Sequence, residues 1–208
     1  MAIVAVGSYA ISARYHANRG AAARAPTTAT EAAGQAGPWV HFPSPDGRFS
    51  ADFPGLPTHS DSPSPLGAVE AQTWIFVNEP EAFYLGFADY PAGSIPSTES
   101  STVLDGAMAQ LTAKPGRAMT SLTSGTVQGY PARFFHISIG DTELTTVGRA
   151  VLVDARIYLV DVTLPLDQAL SLRVARFLDS FTLAPAPRAA SASSGPQQLP
   201  ALPDAGRL

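Results

Sequence analysis

The sequence predicts a single α/β domain, of the α+β kind, in which one antiparallel sheet carries helices packed on it as an α/β/α sandwich. Three observations predict it. Strand-like segments joined by tight turns dominate the middle of the chain, and two-residue turns can only join antiparallel neighbours. Two further segments space their apolar residues at helical intervals. Finally, 208 residues that are 45% hydrophobic and 14% charged allow one packed domain with tails and are short for two.

The elements follow in order. Trp39–Phe42 reads as a short strand, and Ser44-Pro-Asp-Gly47 as a turn in which Asp-Gly supplies positive φ. In Arg48–Phe53, Phe49, Ala51 and Phe53 alternate with Ser50 and Asp52, the period of a half-buried strand. Pro54, Pro57, Pro63 and Pro65 are expected to keep the next stretch irregular. Val69–Asn78 and Ala82–Tyr90 are aromatic-rich strands of a second hairpin, separated by Glu79-Pro80-Glu81.

A helix is expected over Thr98–Ala113, with Val103, Leu104, Ala107, Met108 and Leu111 on one face and Lys114-Pro115-Gly116 as its stop. Four strands follow, Thr120–Gln128, Ala132–Ile139, Thr142–Val153 and Arg156–Leu164. Gly140-Asp141 and Asp154-Ala155 act as two-residue loops. Ala155 tolerates positive φ poorly, so its turn is expected to be longer or strained. A closing helix over Asp167–Ser180 would bury Leu170, Val174, Phe177, Leu178 and Phe181.

This places the domain at residues 38–184. Residues 14–37 and 185–208 are Ala/Thr/Gly-rich and Pro/Ala/Ser-rich without periodicity, and they read as a disordered linker and a disordered tail. Residues 1–13 are apolar and uncharged, then Arg14, His16, Arg19 and Arg24 follow. The run is shorter than the roughly 20 residues that span a bilayer, and it lacks the basic start of a signal peptide. A frayed terminal helix, an atypical export signal and the back half of a membrane anchor all fit. The abrupt border with basic residues favours the anchor, giving an expected membrane-associated or extracytoplasmic location, with a cytoplasmic one still open.

Several chemistries are set aside. No cysteine is present, which removes disulfides, thiolate metal sites and a cysteine nucleophile. Net charge is −4, Lys114 is the only lysine and the arginines are scattered, so nucleic acid is not an expected partner. His16, His41, His59 and His136 show no metal-binding spacing. No Gly-x-Ser-x-Gly elbow, Ser-x-x-Lys pair or Gly-rich phosphate cradle occurs, so no catalytic residue, metal or cofactor is expected.

The opening DGRFSADFPGLP, the mid-chain YLGFADYP, the strand–turn–strand GYPARFFHISIGD, the strand RIYLVDVTLP and the closing FLDSFTL together resemble the PsbP-like/Mog-type superfamily over residues 38–184. That resemblance implies an α/β/α sandwich, and the superfamily includes extrinsic photosystem subunits, Ran-binding proteins and many bacterial proteins. It implies no catalytic motif.

The expected role is therefore a non-enzymatic accessory module that binds a protein partner through its sheet rim or aromatic hairpin. The alternative is a small-molecule-binding protein or a hydrolase, with His136 and Asp161 as the residues to suspect. Asp161 interrupts an apolar strand, where an unpaired charge is costly. It should pair with an arginine such as Arg149, lie on an edge, or face a ligand cleft. Trp39, Trp74 and Tyr84 join these two as surface or cleft candidates. Trp39 and the Glu79–Tyr84 turn are the expected exposed ones among the aromatics, and His136 is otherwise a structural histidine.

Overall fold

The computed structural model describes residues 38–61, 70–96 and 99–184. Residues 1–37 and 185–208, with the apolar segment, the linker and the tail assigned to them, lie outside the described residues. In chain order the elements are β1 (Val40–Pro43), β2 (Phe49–Phe53), β3 (Thr58–Asp61), β4 (Glu70–Asn78), β5 (Glu81–Asp89) and α1 (Ser100–Thr112). Then come β6 (Arg117–Val127), β7 (Tyr130–Ile139), β8 (Leu144–Val153), β9 (Arg156–Pro165), a 3-10 turn (Leu166–Gln168), α2 (Leu172–Ser180) and β10 (Thr182–Leu183).

Two antiparallel sheets form, where the sequence suggested one. The larger has the order β3-β4-β5-β9-β8-β7-β6, and the smaller is β1-β2-β10. The opening hairpin is thus a layer of its own, completed by a two-residue strand from the chain's far end that pairs Thr182 with Ser50 and Leu183 with Phe49.

Cross-strand register divides the core between the two faces of the large sheet. Phe83, Leu85 and Phe87 of β5 stand opposite Val162, Val160 and Tyr158 of β9, so their side chains share a face. With Val147 and Val151 they pack against Phe49, Ala51 and Phe53 of β2 and Val174, Phe177 and Leu178 of α2. Phe177 is fully buried, its ring 5.0 Å from that of Phe53 and 5.2 Å from that of Phe83. Burying such a ring contributes roughly 1.5–3 kcal/mol. The opposite face presents Phe135, Ile137, Ala150, Leu152 and Ile157 to Val103, Leu104, Ala107, Met108 and Leu111 of α1. Those five are the helix face that the spacing predicts.

Four local expectations change. Pro57 and Pro63 bracket a stretch that pairs as β3 with β4, because an edge strand needs partners on one side only. The β7–β8 turn takes four residues, since Thr142 folds back to donate through Oγ1 to the Ile139 carbonyl and accepts from Leu144 N at 3.2 Å. The β8–β9 turn stays at two residues, with Val153 opposite Arg156. Asp154 takes the positive φ of 52° and Ala155 is spared it. Ser171 caps α2 by accepting from Val174 N at 3.4 Å, so the helix starts at Leu172 and Leu170 lies outside it, exposed and not in the core.

Candidate functional site

At the end of the large sheet where β9 begins, a cleft of about 740 Å³ is lined by the β1–β2 turn, the end of β5, the β8–β9 turn, and Leu183 and Ala184 at the end of β10. Arg156 is one of its lining residues. Its Nε and Nη2 donate to the two carboxylate oxygens of Asp89 at 2.6 and 2.5 Å, and Nη1 donates to Asp46 at 2.5 Å. The guanidinium also lies 3.7 Å from the centre of the Phe87 ring. Burial opposes its charge, but the hydrogen bonds to Asp89 and Asp46 outweigh that and hold its pKa above the ordinary value. Asp46 is partly buried too, which alone would raise it. The bonds from Arg156, Ser44 and the Arg48 N–H bring it below the usual carboxylate range.

Asp46 thus does more than stabilise its own turn, the role its place in a turn suggests. It accepts from Ser44 Oγ at 2.8 Å and Arg48 N at 3.2 Å, and it also ties the small sheet to the large one through Arg156. Arg48, Arg156, Asp46, Asp89 and Asp154 line the cleft together with Tyr90, Tyr130 and Tyr158. Within this concave, mixed-polarity opening Arg156, Asp46 and Asp89 are already paired with one another.

Asp161 occupies a different place. It stands on the α1 face of β9, opposite Tyr84 on β5 and Gly148 on β8, and it is only 5% exposed. Burial pushes its carboxyl up to about 7, and the Arg117 charge pulls the other way. Tyr84 is raised by the same burial and by Asp161, while burial lowers Arg117 against the pull of Asp161 and Tyr84. Thr146 and Thr163 share this face, their hydroxyls 2.9 Å apart. Arg149 is not the partner of Asp161: its side chain points to the other face, where it meets Asp179 at 2.8 Å. The charge near Asp161 comes instead from Arg117 at the start of β6.

His136 pairs in register with Val147, and Val147 with Val162. His136 therefore shares the α2 face, and Asp161, one residue away from Val162, points to the opposite one. The sheet separates the two residues that a hydrolase reading would join. Trp74 is buried between Phe42, Phe49 and Phe87. Tyr84 is buried in a small cluster with Ala82 and Ile75. Trp39 is half-buried against Phe83, with Arg176 4.3 Å above its ring. His41 meets Asp52 at 3.0 Å, and His59 lies against Trp74. Among the described residues no group of three or more His, Asp or Glu could hold a metal ion, and no helix is long and apolar enough to cross a membrane.

Arg156, Asp89 and Arg117 carry the electrostatics of both places without standing out in the sequence. The Asp89–Arg156 pair depends on β5 lying beside β9, and the whole of α1 and the β6–β8 meander separates them along the chain.

No family model and no curated protein matches the chain. Among solved structures, it is similar to cyanobacterial PsbP (CyanoP) from Synechocystis sp. PCC 6803, with TM-score 0.53 and 12% identity over 77% of this chain and all of that one. It also matches LpqN of Mycobacterium tuberculosis, described as involved in cell envelope biogenesis, at TM-score 0.41 and 15% identity, over 64% of this chain and 87% of that one. On the first of these likenesses, the chain has a PsbP-like fold.

Proposed function

We propose that the chain is a non-enzymatic accessory module that binds another protein and is held near a membrane, or exported, through its N-terminal segment. The carrying observation is a set of uncovered leucines at one rim of the large sheet. Leu166, Leu170 and Leu172 are 63%, 90% and 88% exposed, around the 3-10 turn and the first residue of α2. Val77, half exposed near the end of β4, belongs to the same rim, because β4 pairs with β5 and β5 with β9. Large apolar side chains left uncovered at one place favour a contact surface. The rings of the second hairpin are packed inside, so the rim is the surface on offer. The separation of His136 from Asp161 weighs against the hydrolase alternative.

Affinity capture with the full chain tests this. A partner held by the wild type should be lost by the L170S/L172S double variant, whose thermal midpoint stays unchanged because neither side chain is buried. Equal recovery by both would overturn the reading.

A tether fits the same role. The full chain with its natural upstream codons should sediment with membranes, while a version starting at Gly37 stays soluble and folded.

The Arg156 cleft favours a second reading, a small-molecule-binding protein. Ligand-induced chemical-shift changes confined to Arg48, Tyr130 and Ala155 would select it over the first.

A further inference from the structure

We propose that β6 is a self-association edge, on which two copies of this chain pair β6 with β6 antiparallel about Ser124 and continue the large sheet across a two-fold axis. β6 is the terminal strand of that sheet and is eleven residues long. From Thr120 to Thr126 every residue is exposed, so neither face of this stretch is covered. Exposed edges are commonly blunted by proline, charge, shortness or a bulge. The other edge, β3, has four residues. β6 has no proline and no charged residue from Ala118 to Val127. Its one irregularity lies between Met119 and Ser121, ahead of the uncovered run.

The register specifies which backbone groups are on offer. Gln128 and Gly129 form a two-residue turn with φ of 50° and 86°, and Val127 faces Tyr130 across it. Residues flanking such a turn exchange both backbone hydrogen bonds, and the pattern then alternates along the ladder. Val127, Gly125 and Thr123 accordingly direct their N–H and C=O groups to β7. Thr126, Ser124 and Leu122 direct theirs outward, away from the sheet. Pro131, which has no N–H, stands opposite Thr126 at a rung that needs none from it.

A second copy satisfies these groups symmetrically. With Ser124 opposite Ser124 of the other copy, Leu122 meets Thr126 and Thr126 meets Leu122, so all three outward residues find partners at once. Leu122, 45% exposed, would be covered by the opposing threonine. Thr123 would lie opposite Gly125, where the Phe134 ring already takes the space of the missing side chain. The run from Ala118 to Val127 carries no charge, so self-pairing about Ser124 sets no like charges against each other, and Arg133, opposite Ser124 on β7, is already bound to Asp105 at 2.8 Å. A hydrogen-bonded strand pair alone buries less than a standard interface, so the dimer is expected to be concentration-dependent. This contact is distinct from the leucine rim and does not rest on it.

Sedimentation velocity of the full chain over a concentration series tests the proposal with a charge swap at the two-fold rung. The wild type should shift from monomer to dimer as concentration rises. S124K and S124E, which change an exposed side chain, should each keep the wild-type thermal midpoint and stay monomeric. An equimolar mixture of the two should recover the dimer, because Lys then faces Glu on the axis. A wild type that stays monomeric, a dimer unaffected by either variant, or a mixture that fails to recover it would each overturn the pairing.

Discussion

Asp161 and Gly148 share one rung of the large sheet, and the room that Asp161 fills exists because residue 148 has no side chain. A Cβ at position 148 would lie 2.5 Å from Cβ of Asp161, 2.6 Å from the Val160 carbonyl oxygen and 2.7 Å from the Phe135 ring. Two of these three are fixed by the backbone of β9, so only the ring could give way.

Gly148→Ala should therefore destabilise the domain by about 1–3 kcal/mol, the usual cost of overpacking a filled core. Urea unfolding of both proteins measures it as a lower midpoint at unchanged slope.

Asp161→Asn should change the dependence of stability on pH. The native carboxyl titrates at about 7, against about 3.9 for an unfolded aspartate. Between these values the folded state holds a proton that the unfolded state has released, so wild-type stability falls as pH rises through this window. The contribution is fully present below about pH 4 and lost above about pH 7. The variant lacks this slope and should gain on the wild type, by a few kcal/mol in order of magnitude, between pH 4 and pH 8. Unfolding free energies at both ends of the window check it, and parallel profiles would contradict it.

Arg156→Met removes both the guanidinium that lies over the Phe87 ring and the charge shared by Asp46 and Asp89. Both carboxylates are about one-third exposed and can rehydrate, so the loss should be about 2 kcal/mol, below the range for a fully buried pair. Hydrogen exchange should quicken most in β1 and β2, which the Asp46 link joins to the large sheet.

Ser171→Ala removes the cap of α2. The bond to Val174 N is long, at 3.4 Å, and the expected cost is about 0.5 kcal/mol, the low end for a lost cap. Chemical unfolding resolves a change of that size when the midpoints are compared directly.

Much of this architecture is legible in the sequence because short-range periodicity and turn chemistry act within a few residues. Phe49, Ala51 and Phe53 alternate into the core, and the five apolar residues of α1 all face it. Leu170 fits the same helical spacing as Phe177, yet Ser171 competes for the helix start and wins, which leaves Leu170 in solvent. β10 has two residues and no pattern to read, so the second sheet could not be foreseen. The opposition of His136 and Asp161 was within reach, since turns of two and four residues keep the same strand parity and put the two on opposite faces. Arg117 and Arg156 were not, because their partners come from strands that no short turn connects.

The small sheet has a mechanical consequence. β1 and β10 both run antiparallel to β2 on its two sides, with Val40 at the Phe53 end and Leu183 at the Phe49 end. A pull on the chain ahead of β1 and a pull on the chain after β10 therefore draw the outer strands in opposite directions along the axis of β2. The rungs are loaded together in shear and not peeled one by one. A domain drawn between its two ends would yield first at β10, whose two rungs are fewer than the four that join β1 to β2.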